Sequence, residues 1–449
     1  MSRLRSIQDE QVFEEGHDAM GNAPTIRVGV LGLGTVGSSL VRLIAQQGQA
    51  IETRTGIRLE VTRAAVRNLD APRGLASATP RIVDDPMSVV EADDVDLVVE
   101  LMGGVEPARQ LIERAIRLRK PVVSANKELI ASCSRELFEL ADAAGVDLLF
   151  EASVAGGIPL LRAIRESLAG DRIRRVLGIV NGTTNFILSQ MTEQGTDFGE
   201  SLAEAQALGY AEADPTADVE GFDAASKAAI IATLAFGADV TSDDVSRQGI
   251  TAISAADIAA AEALGYTIKL LAVVERADAG IGARVEPAMV PLSHPLASVR
   301  DAFNALFIEA DAVGELMLYG RGAGGMPTAS AVLGDVVDAA KNLVGGGAPR
   351  HGSLESVPML DSTATGSQYA IRMSVDDESG VLADIASEFG RNGVSIESVR
   401  QRGVDQQAQL TFVTHYSNQE AVQATLRAVE QLDCVVSIDS VIAVIGAAT

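Results

Sequence analysis

A short β-branched run, Thr25 to Leu31 (TIRVGVL), leads directly into Gly32-Leu33-Gly34-Thr35-Val36-Gly37, and from Ser38 to Gln47 the apolar residues fall at helical spacing. Strand, glycine turn and helix in that order leave few folds open. Gly32 suits the tight turn, Gly34 removes the Cβ that would stand between backbone and a pyrophosphate, and Gly37 lets the helix pack closely. The helix N-terminus adds N–H donors and positive dipole for phosphate. On the residues alone, a glycine-rich turn without a ligand is the competing reading.

The next hundred residues repeat the alternation. Val95 to Leu101 (VDLVVEL) is the near-continuous apolar run that a parallel strand needs when helices cover both sheet faces. Met102-Gly103-Gly104 follows at its carboxyl end, where such sheets bind ligands. Helix Glu106 to Arg119, strand Val122 to Ser124, a further helix and strand Val146 to Phe150 complete a doubly wound α/β domain over residues 25–152. Ser124-Ala125-Asn126-Lys127 places a lysine at another carboxyl end. The strand Leu59 to Val66 ends at Arg67-Asn68, where a site for NAD often carries an acid for the ribose 2′-hydroxyl. Arg67 there predicts NADP by pairing with a 2′-phosphate, or is an ordinary surface arginine, in which case NAD is possible.

The most heavily charged stretch is Gly209 to Lys227, GYAEADPTADVEGFDAASK. Glu212, Asp214, Asp218, Glu220 and Asp223 crowd ahead of one lysine. Pro215 keeps a helix out of the first half. After Gly221 the spacing turns helical, so Asp223 and Lys227 lie four apart on one face while Ile230, Ile231 and Leu234 enter a core. An exposed ion pair of that kind contributes only about 0.3–0.5 kcal/mol. The composition makes it more interesting, because only five of the 36 basic residues are lysine. Lysine can give up a proton where arginine cannot, which suits proton transfer beside a bound ammonium or zwitterion.

The formal net charge of -25 opposes nucleic-acid binding. No apolar run approaches the ~20 residues of a membrane span. Residues 1–24 read as a polar tail without a signal peptide's apolar centre. Cys133 and Cys434 are far apart, as in a reducing compartment, and the four histidines are isolated, so no transition-metal cluster is visible. These features predict a cytoplasmic location.

Glu151 to Ile158 (EASVAGGI) forms either an oxygen-rich turn able to hold a hard cation or a plain strand-to-helix hinge. Residues 153–320 read as an α+β domain, with VLGIVNGTTNFIL strand-like up to a turn at Asn181-Gly182. Gly320 to Pro327 introduces the helix Thr328 to Leu343, and either returns segment 321–343 to the cofactor crevice or merely connects domains. Residues 344–368 read as a linker. From 369 to 449 the order is β-α-β-β-α-β, the ferredoxin-like split unit.

From about residue 25 onward the chain resembles a monofunctional homoserine dehydrogenase with a C-terminal ACT domain. The specific match is Gly209-Tyr210, Asp214-Pro215, Asp218-Val219, Gly221, Asp223 and Lys227, joined by SANKELIA around Lys127, EASVAGGIP from Glu151, NGTTNFIL from Asn181 and GRGAGGMPTA from Gly320. The resemblance implies reversible NAD(P)H-dependent reduction of L-aspartate 4-semialdehyde to L-homoserine, in threonine, methionine and isoleucine biosynthesis. It implies Lys227 as the proton donor, Asp223 positioning it and touching substrate, and Glu212 and Asp218 binding substrate. It also implies Lys127 at the junction of cofactor and substrate, and Gly209 and Gly324 beside the cofactor. Glu151, Val154, Gly156 and Ile158 match a monovalent cation site of the sodium type. A homodimer or homotetramer regulated by L-threonine would follow. Ser379 stands where many ACT domains have proline before glycine, so a purely structural dimerisation role competes with effector binding. Other ACT-tailed NAD(P)-linked dehydrogenases, or a non-catalytic amino-acid sensor, are the alternatives.

Overall fold

The computed structural model describes residues 23–75, 80–347, 350–360, 366–404 and 407–446. The expected polar tail lies outside them, apart from its last two residues. Six strands, β1 (Thr25–Leu31), β2 (Arg58–Ala65), β3 (Arg81–Val83), β4 (Leu97–Glu100), β5 (Val122–Ser124) and β6 (Leu148–Leu149), form a parallel sheet in the order β3-β2-β1-β4-β5-β6. The order reverses between β1 and β4. There the carboxyl ends of the strands open a crevice. All four residues of β4 are buried, as expected for a strand covered on both faces.

The helix Thr35–Thr55 buries Leu40, Val41 and Ile44 against Val332, Leu333, Val336 and Ala340 of the helix Gly325–Gly345. A segment from late in the chain therefore completes the first domain. Gly325 makes the close approach possible: a Cβ there would lie 2.9 Å from Thr35 Cγ2 and 3.0 Å from Ser39 Oγ.

Ten further strands form a second, mixed sheet. They are β7 (Ile173–Ile179), β8 (Ser246–Arg247), β9 (Tyr266–Ala277), β10 (Gly280–Pro291), β11 (Phe303–Ala310), β12 (Gly314–Arg321), β13 (Gln368–Asp376), β14 (Ile396–Val404), β15 (Gln407–Thr414) and β16 (Val435–Val444). Their order is β12-β11-β7-β9-β10-β16-β13-β15-β14, with β8 on β10 off that path. The last four strands, with helices Val381–Arg391 and Gln419–Val429, make the ferredoxin-like unit.

Two sequence expectations change. The C-terminal unit is not hung on a free linker, because its β16 pairs in parallel with β10 through Ala288↔Ala443 and Met289↔Val444. One edge of β10 faces β9; the other is covered by β8 at Arg284 and Val285 and by β16 at Ala288 and Met289. Unpaired backbone groups there would be costly, and the C-terminal unit satisfies them. The described part of the supposed linker is also bound. Asp142 accepts from the amides of His351 and Gly352, Arg135 donates to the Leu354 carbonyl, and Ile281 donates its amide to the Pro358 carbonyl while its own carbonyl accepts from the Leu360 amide. His351 stacks on Phe138 at 4.2 Å between ring centroids.

The second change is at NGTTNFIL. Strand β7 stops at Ile179, and Gly182–Gln194 is a helix because Asn181 caps it, its Oδ1 accepting from the Thr184 amide at 2.9 Å.

Candidate active site

The crevice at the end of β1 separates the three glycines by what each must avoid. Gly32 has φ +103°, and a Cβ on it would meet the Leu101 carbonyl at 2.8 Å; on Gly37 it would lie 2.1 Å from the Gly32 carbonyl oxygen. Both are required by the protein's own packing. A Cβ on Gly34 would meet nothing within 4 Å, so its absence leaves room for something other than protein. Leu33, Thr35 and Val36 complete the turn, and no acid stands in the first turn of the helix to compete with phosphate.

Glu100, wholly buried at the end of β4, organises the neighbouring loop. Its Oε1 accepts from the amides of Met102 (2.7 Å) and Gly103 (3.2 Å), and its Oε2 from Ser124 Oγ (2.7 Å). Asn126 caps the helix Lys127–Ala144 by accepting from the Leu129 amide, and donates to the Gly104 carbonyl at 2.6 Å. Lys127 is thereby fixed beside the crevice. Arg67 is exposed just beyond the carboxyl end of β2, on the same side of the sheet. Gly324, at φ +119°, opens the returning helix over the same region.

A compact charged group lies next to it. Gly221, at φ +82°, turns the chain into the helix Phe222–Phe236, whose Ala224, Ala228, Ile231 and Ala232 are buried. Asp223 and Lys227 emerge on one face. Lys227 Nζ donates to Asp223 Oδ2 at 2.6 Å and to the Val180 carbonyl at 2.7 Å. Lys127 Nζ lies 3.3 Å from Asp223 Oδ1. Asn181 Nδ2 donates to both Asp223 Oδ2 (2.9 Å) and Asp218 Oδ1 (2.6 Å). Burial alone would raise the Asp223 carboxyl, but Lys227, Lys127 and Asn181 reverse this and hold it at about 2. Burial lowers and Asp223 raises Lys127, with a net upward shift.

Lys227, Lys127, Asp223 and Asp218 therefore form one network. Glu212 does not join it: the side chain is exposed on the loop that starts at Gly209 (φ +77°), which Thr183 Oγ1 ties down by donating to the Tyr210 carbonyl. Sequence reading missed Asn181 and Glu100. A capping asparagine after a strand, and a lone acid ending an apolar strand, were the signals available.

At the Glu151 turn, Ala155 and Gly156 have positive φ, and a Cβ on Gly156 would lie 2.3 Å from the Gly322 carbonyl oxygen. The buried Glu151 carboxylate accepts from the amides of Leu161 and Arg162, both at 2.8 Å. Burial nevertheless lifts its pKa. The turn offers oxygen donors of the hard kind, which suits a monovalent cation. Because the carboxylate already caps the next helix, backbone carbonyls such as those of Val154, Gly156 and Ile158 would carry most of the ligation. No cluster of three or more His, Cys, Asp or Glu side chains suited to a metal occurs among the described residues.

The C-terminal unit has its own cleft of about 480 Å3 beside Gly380, lined by Glu378, Leu382, Ala386 and Gln401. Asn392-Gly393 ends the adjoining helix.

Comparison with known proteins agrees with this geometry along the whole chain. The family description "Homoserine dehydrogenase" matches residues 159–337, "Homoserine dehydrogenase, NAD binding domain" matches 32–151, and "ACT domain" matches 369–434. A homoserine dehydrogenase of Corynebacterium glutamicum is 50% identical over 430 residues, 94% of this chain and 96% of that one. This chain belongs to the homoserine dehydrogenase family. A homoserine dehydrogenase of Mycobacterium tuberculosis is 49% identical over 438 residues, 95% of this chain and 99% of that one. The crystal structure of a homoserine dehydrogenase from Thiobacillus denitrificans superposes with a TM-score of 0.89 at 41% identity, covering 94% of this chain and 98% of that one. A hyperthermophilic archaeal homoserine dehydrogenase in complex with NADPH gives 0.60 at 27% identity, over 70% of this chain and 97% of that one. The chain is thus an NAD(P)-dependent oxidoreductase with homoserine dehydrogenase activity and an ACT domain. No helix among the described residues is long and apolar enough to cross a membrane.

Proposed function

We propose that this homoserine dehydrogenase converts L-aspartate 4-semialdehyde to L-homoserine with Lys227 as proton donor and NADPH as the preferred cofactor. The observation that carries the assignment is the setting of the Lys227 amine. An ammonium has three donors; Asp223 and Val180 take two, which leaves one for a substrate oxygen. The nicotinamide cofactor, when bound, supplies the hydride. Charge then develops on the former aldehyde oxygen, and Lys227 both stabilises it and gives it a proton. Asp223, ionised down to a pH of about 2, acts as the fixed anion that aims Lys227 and is not itself the acid. Lys127, on the other oxygen of Asp223, sits toward the crevice and places a second positive charge at the junction of cofactor and substrate, where negative charge develops. Asp218 faces the same space and suits the substrate's ammonium, with Glu212 joining if its loop closes.

Purified protein should oxidise NADPH with L-aspartate 4-semialdehyde and reduce NADP with L-homoserine, while 3-phosphohydroxypyruvate gives no turnover. Turnover with the phosphohydroxy acid but not the semialdehyde would sink the assignment.

The exposed guanidinium of Arg67 supports NADPH, and Arg67→Asp should lower the NADPH-to-NADH preference several-fold in kcat/KM. Unchanged discrimination would remove Arg67 from the cofactor site. For the Glu151 turn the proposal is a structural monovalent cation of the sodium type. It predicts a lower melting temperature when sodium is replaced by choline at constant ionic strength. L-Threonine is the proposed effector of the ACT domain. The exposed sheet edge β14 is the proposed contact in a homodimer or homotetramer. The two free cysteines and the absence of a membrane-crossing helix among the described residues fit the proposed cytoplasmic setting.

A further inference from the structure

A polar cavity of about 150 Å3 lies at the seam where the ACT domain joins the catalytic sheet. On one side are Arg247 of β8 and Glu286 of β10; on the other are Ser367, Tyr369 and Gln419, from the start of β13 and the start of the helix Gln419–Val429. The wall from the ACT side is held in place, since Ser367 and Ser417 exchange both backbone hydrogen bonds, at 3.0 and 2.9 Å. A volume of this size is below the range of drug-sized or dinucleotide pockets and suits a much smaller ligand.

The charges are of both signs. Arg284 is buried between Glu275 and Glu286 in two ion pairs, so its single charge is outnumbered by two carboxylates. Glu286 gives only its Oε1 to Arg284 Nε. Arg247 makes no ion pair among the described residues and lies over the Phe222 ring, 3.7 Å from its centroid. A phosphate or simple carboxylate would meet Glu286 unfavourably, and a simple amine would meet Arg247. A ligand carrying both charges avoids each conflict.

We infer that this seam cavity is a binding site for a free α-amino acid, whose carboxylate pairs with Arg247, whose ammonium pairs with Glu286 and whose side chain meets the hydroxyls and amide of the ACT wall. The inference rests on the reading of the ACT domain as responsive to amino acids, and it moves the point of recognition from the turn at Gly380 to the domain seam. The same site explains how occupancy reaches the chemistry. Gly221 packs against two residues that line the cavity, since a Cβ there would lie 3.3 Å from Val285 Cγ1 and 3.7 Å from the Gln248 carbonyl oxygen. Gly249 is closer still to the catalytic loop, since a Cβ there would lie 2.3 Å from the Val219 carbonyl oxygen. Phe222, under the Arg247 guanidinium, immediately precedes Asp223. A ligand that draws Arg247 away from Phe222 acts one residue from the carboxylate that aims Lys227.

The test is calorimetric titration of the full chain with L-threonine and L-serine, beside L-threoninol, which lacks the carboxylate, and N-acetyl-L-threonine, which lacks the ammonium. The expected result is binding of at least one free amino acid and of neither analogue. Gln419→Trp and Arg247→Met should each weaken that binding tenfold or more, while Leu382→Trp, in the cleft beside Gly380, should not. Because Arg247→Met also removes the stack on Phe222, Gln419→Trp on the opposite wall is the deciding variant. Binding lost in Leu382→Trp and kept in Gln419→Trp would overturn the seam site and leave an amino-acid-responsive ACT domain intact. No binding of either free amino acid by the parent would overturn both, without touching the dehydrogenase assignment, which is read by turnover.

Discussion

In the six-stranded sheet every neighbouring pair is parallel and lies within one domain, whereas the ten-stranded sheet is mixed and runs from the catalytic domain into the ACT domain through β10 and β16. Parallel strands deliver all their carboxyl ends to one side, so the cofactor side of the site is made of loops: the glycine turn, Met102 to Gly104, and the start of the Lys127 helix. The mixed sheet works differently. It contributes the end of β7, with Val180 and Asn181, as a fixed rim against which the helix bearing Asp223 and Lys227 is set. On the proposed assignment, binding and chemistry are carried by separate sheets, and they meet at the 3.3 Å contact between Lys127 and Asp223.

That division can be tested most sharply at Lys227. Lys227→Ala should cut kcat by about 10²–10⁴-fold while a fluorescence titration finds cofactor affinity within two-fold of the parent. If cofactor affinity falls with turnover, the two sheets do not divide the work.

Next in size is the continuity of the second sheet. Arg372 of β13 is buried and reaches Asp257 of the catalytic domain and Asp439 of β16, each at 3.0 Å. Arg372→Leu would remove the cation paired with Asp257, 2% exposed, which keeps its hydrogen bonds from Ser254 and Ser440, so the loss should approach but not exceed the about 3–5 kcal/mol typical of breaking a buried pair. Chemical denaturation followed by circular dichroism should show that loss across the whole second sheet. A loss below ~1 kcal/mol, or a separate early transition of the ACT domain, would mean that the domains are only loosely joined.

Within the first sheet, two glycines of the same turn should behave in opposite ways. Gly37→Ala forces a methyl against the Gly32 carbonyl and should destabilise by about 1–3 kcal/mol, seen as a lower melting temperature of the free protein. Gly34→Ala should leave the melting temperature alone and weaken cofactor binding roughly tenfold, ~1.4 kcal/mol. Equal effects on stability would refute the assignment of Gly34 to a ligand.

The smallest effect concerns pH. Burial pushes the Asp335 carboxyl, which accepts from the Glu151 amide, up to about 7. A carboxyl raised on folding stabilises only while protonated, so its contribution is complete below an unfolded value of ~3.9 and is lost as pH rises through 7. Asp223 has the opposite sign: at about 2, it contributes fully above ~3.9 and fails only as pH falls through 2. Asp335→Asn should therefore gain stability relative to the parent between pH 5 and pH 8, by about 2–3 kcal/mol. Asp223→Asn should show a pH-independent difference over that interval. A flat profile for Asp335→Asn would mean that its carboxyl titrates normally.

The difference between the sheets also explains what could be read from residues alone. Strand, glycines and helix at Thr25 to Gln47 are contiguous, and so are Gly221, Asp223 and Lys227; local spacing carries both. The helix after Asn181 was not anticipated because Thr183, Thr184, Phe186 and Ile187 favour strands, and the capping bond of Asn181 outweighs that preference. Its bonds to Asp218 and Asp223 cross 37 and 42 residues, beyond any periodicity. The pairing of Met289 with Val444 is more distant still. Gly and Pro content marked 344–368 as loose, yet composition says nothing about partners, and the Glu355 amide finds the Gly237 carbonyl at 2.8 Å.

The return of the helix Gly325–Gly345 to the helix Thr35–Thr55 sets an order on how this protein comes into being. During synthesis the first domain's strands leave the ribosome early, but the cluster that holds Leu40, Val41 and Ile44 stays incomplete until residues near Val336 and Ala340 have been made. At roughly 5–20 residues per second, that is an interval on the order of tens of seconds. The catalytic domain is in effect an insertion, whose two ends must come together before the cofactor crevice closes. A nascent chain halted within β11 or β12 would carry the complete glycine turn and still lack the helix that packs behind it.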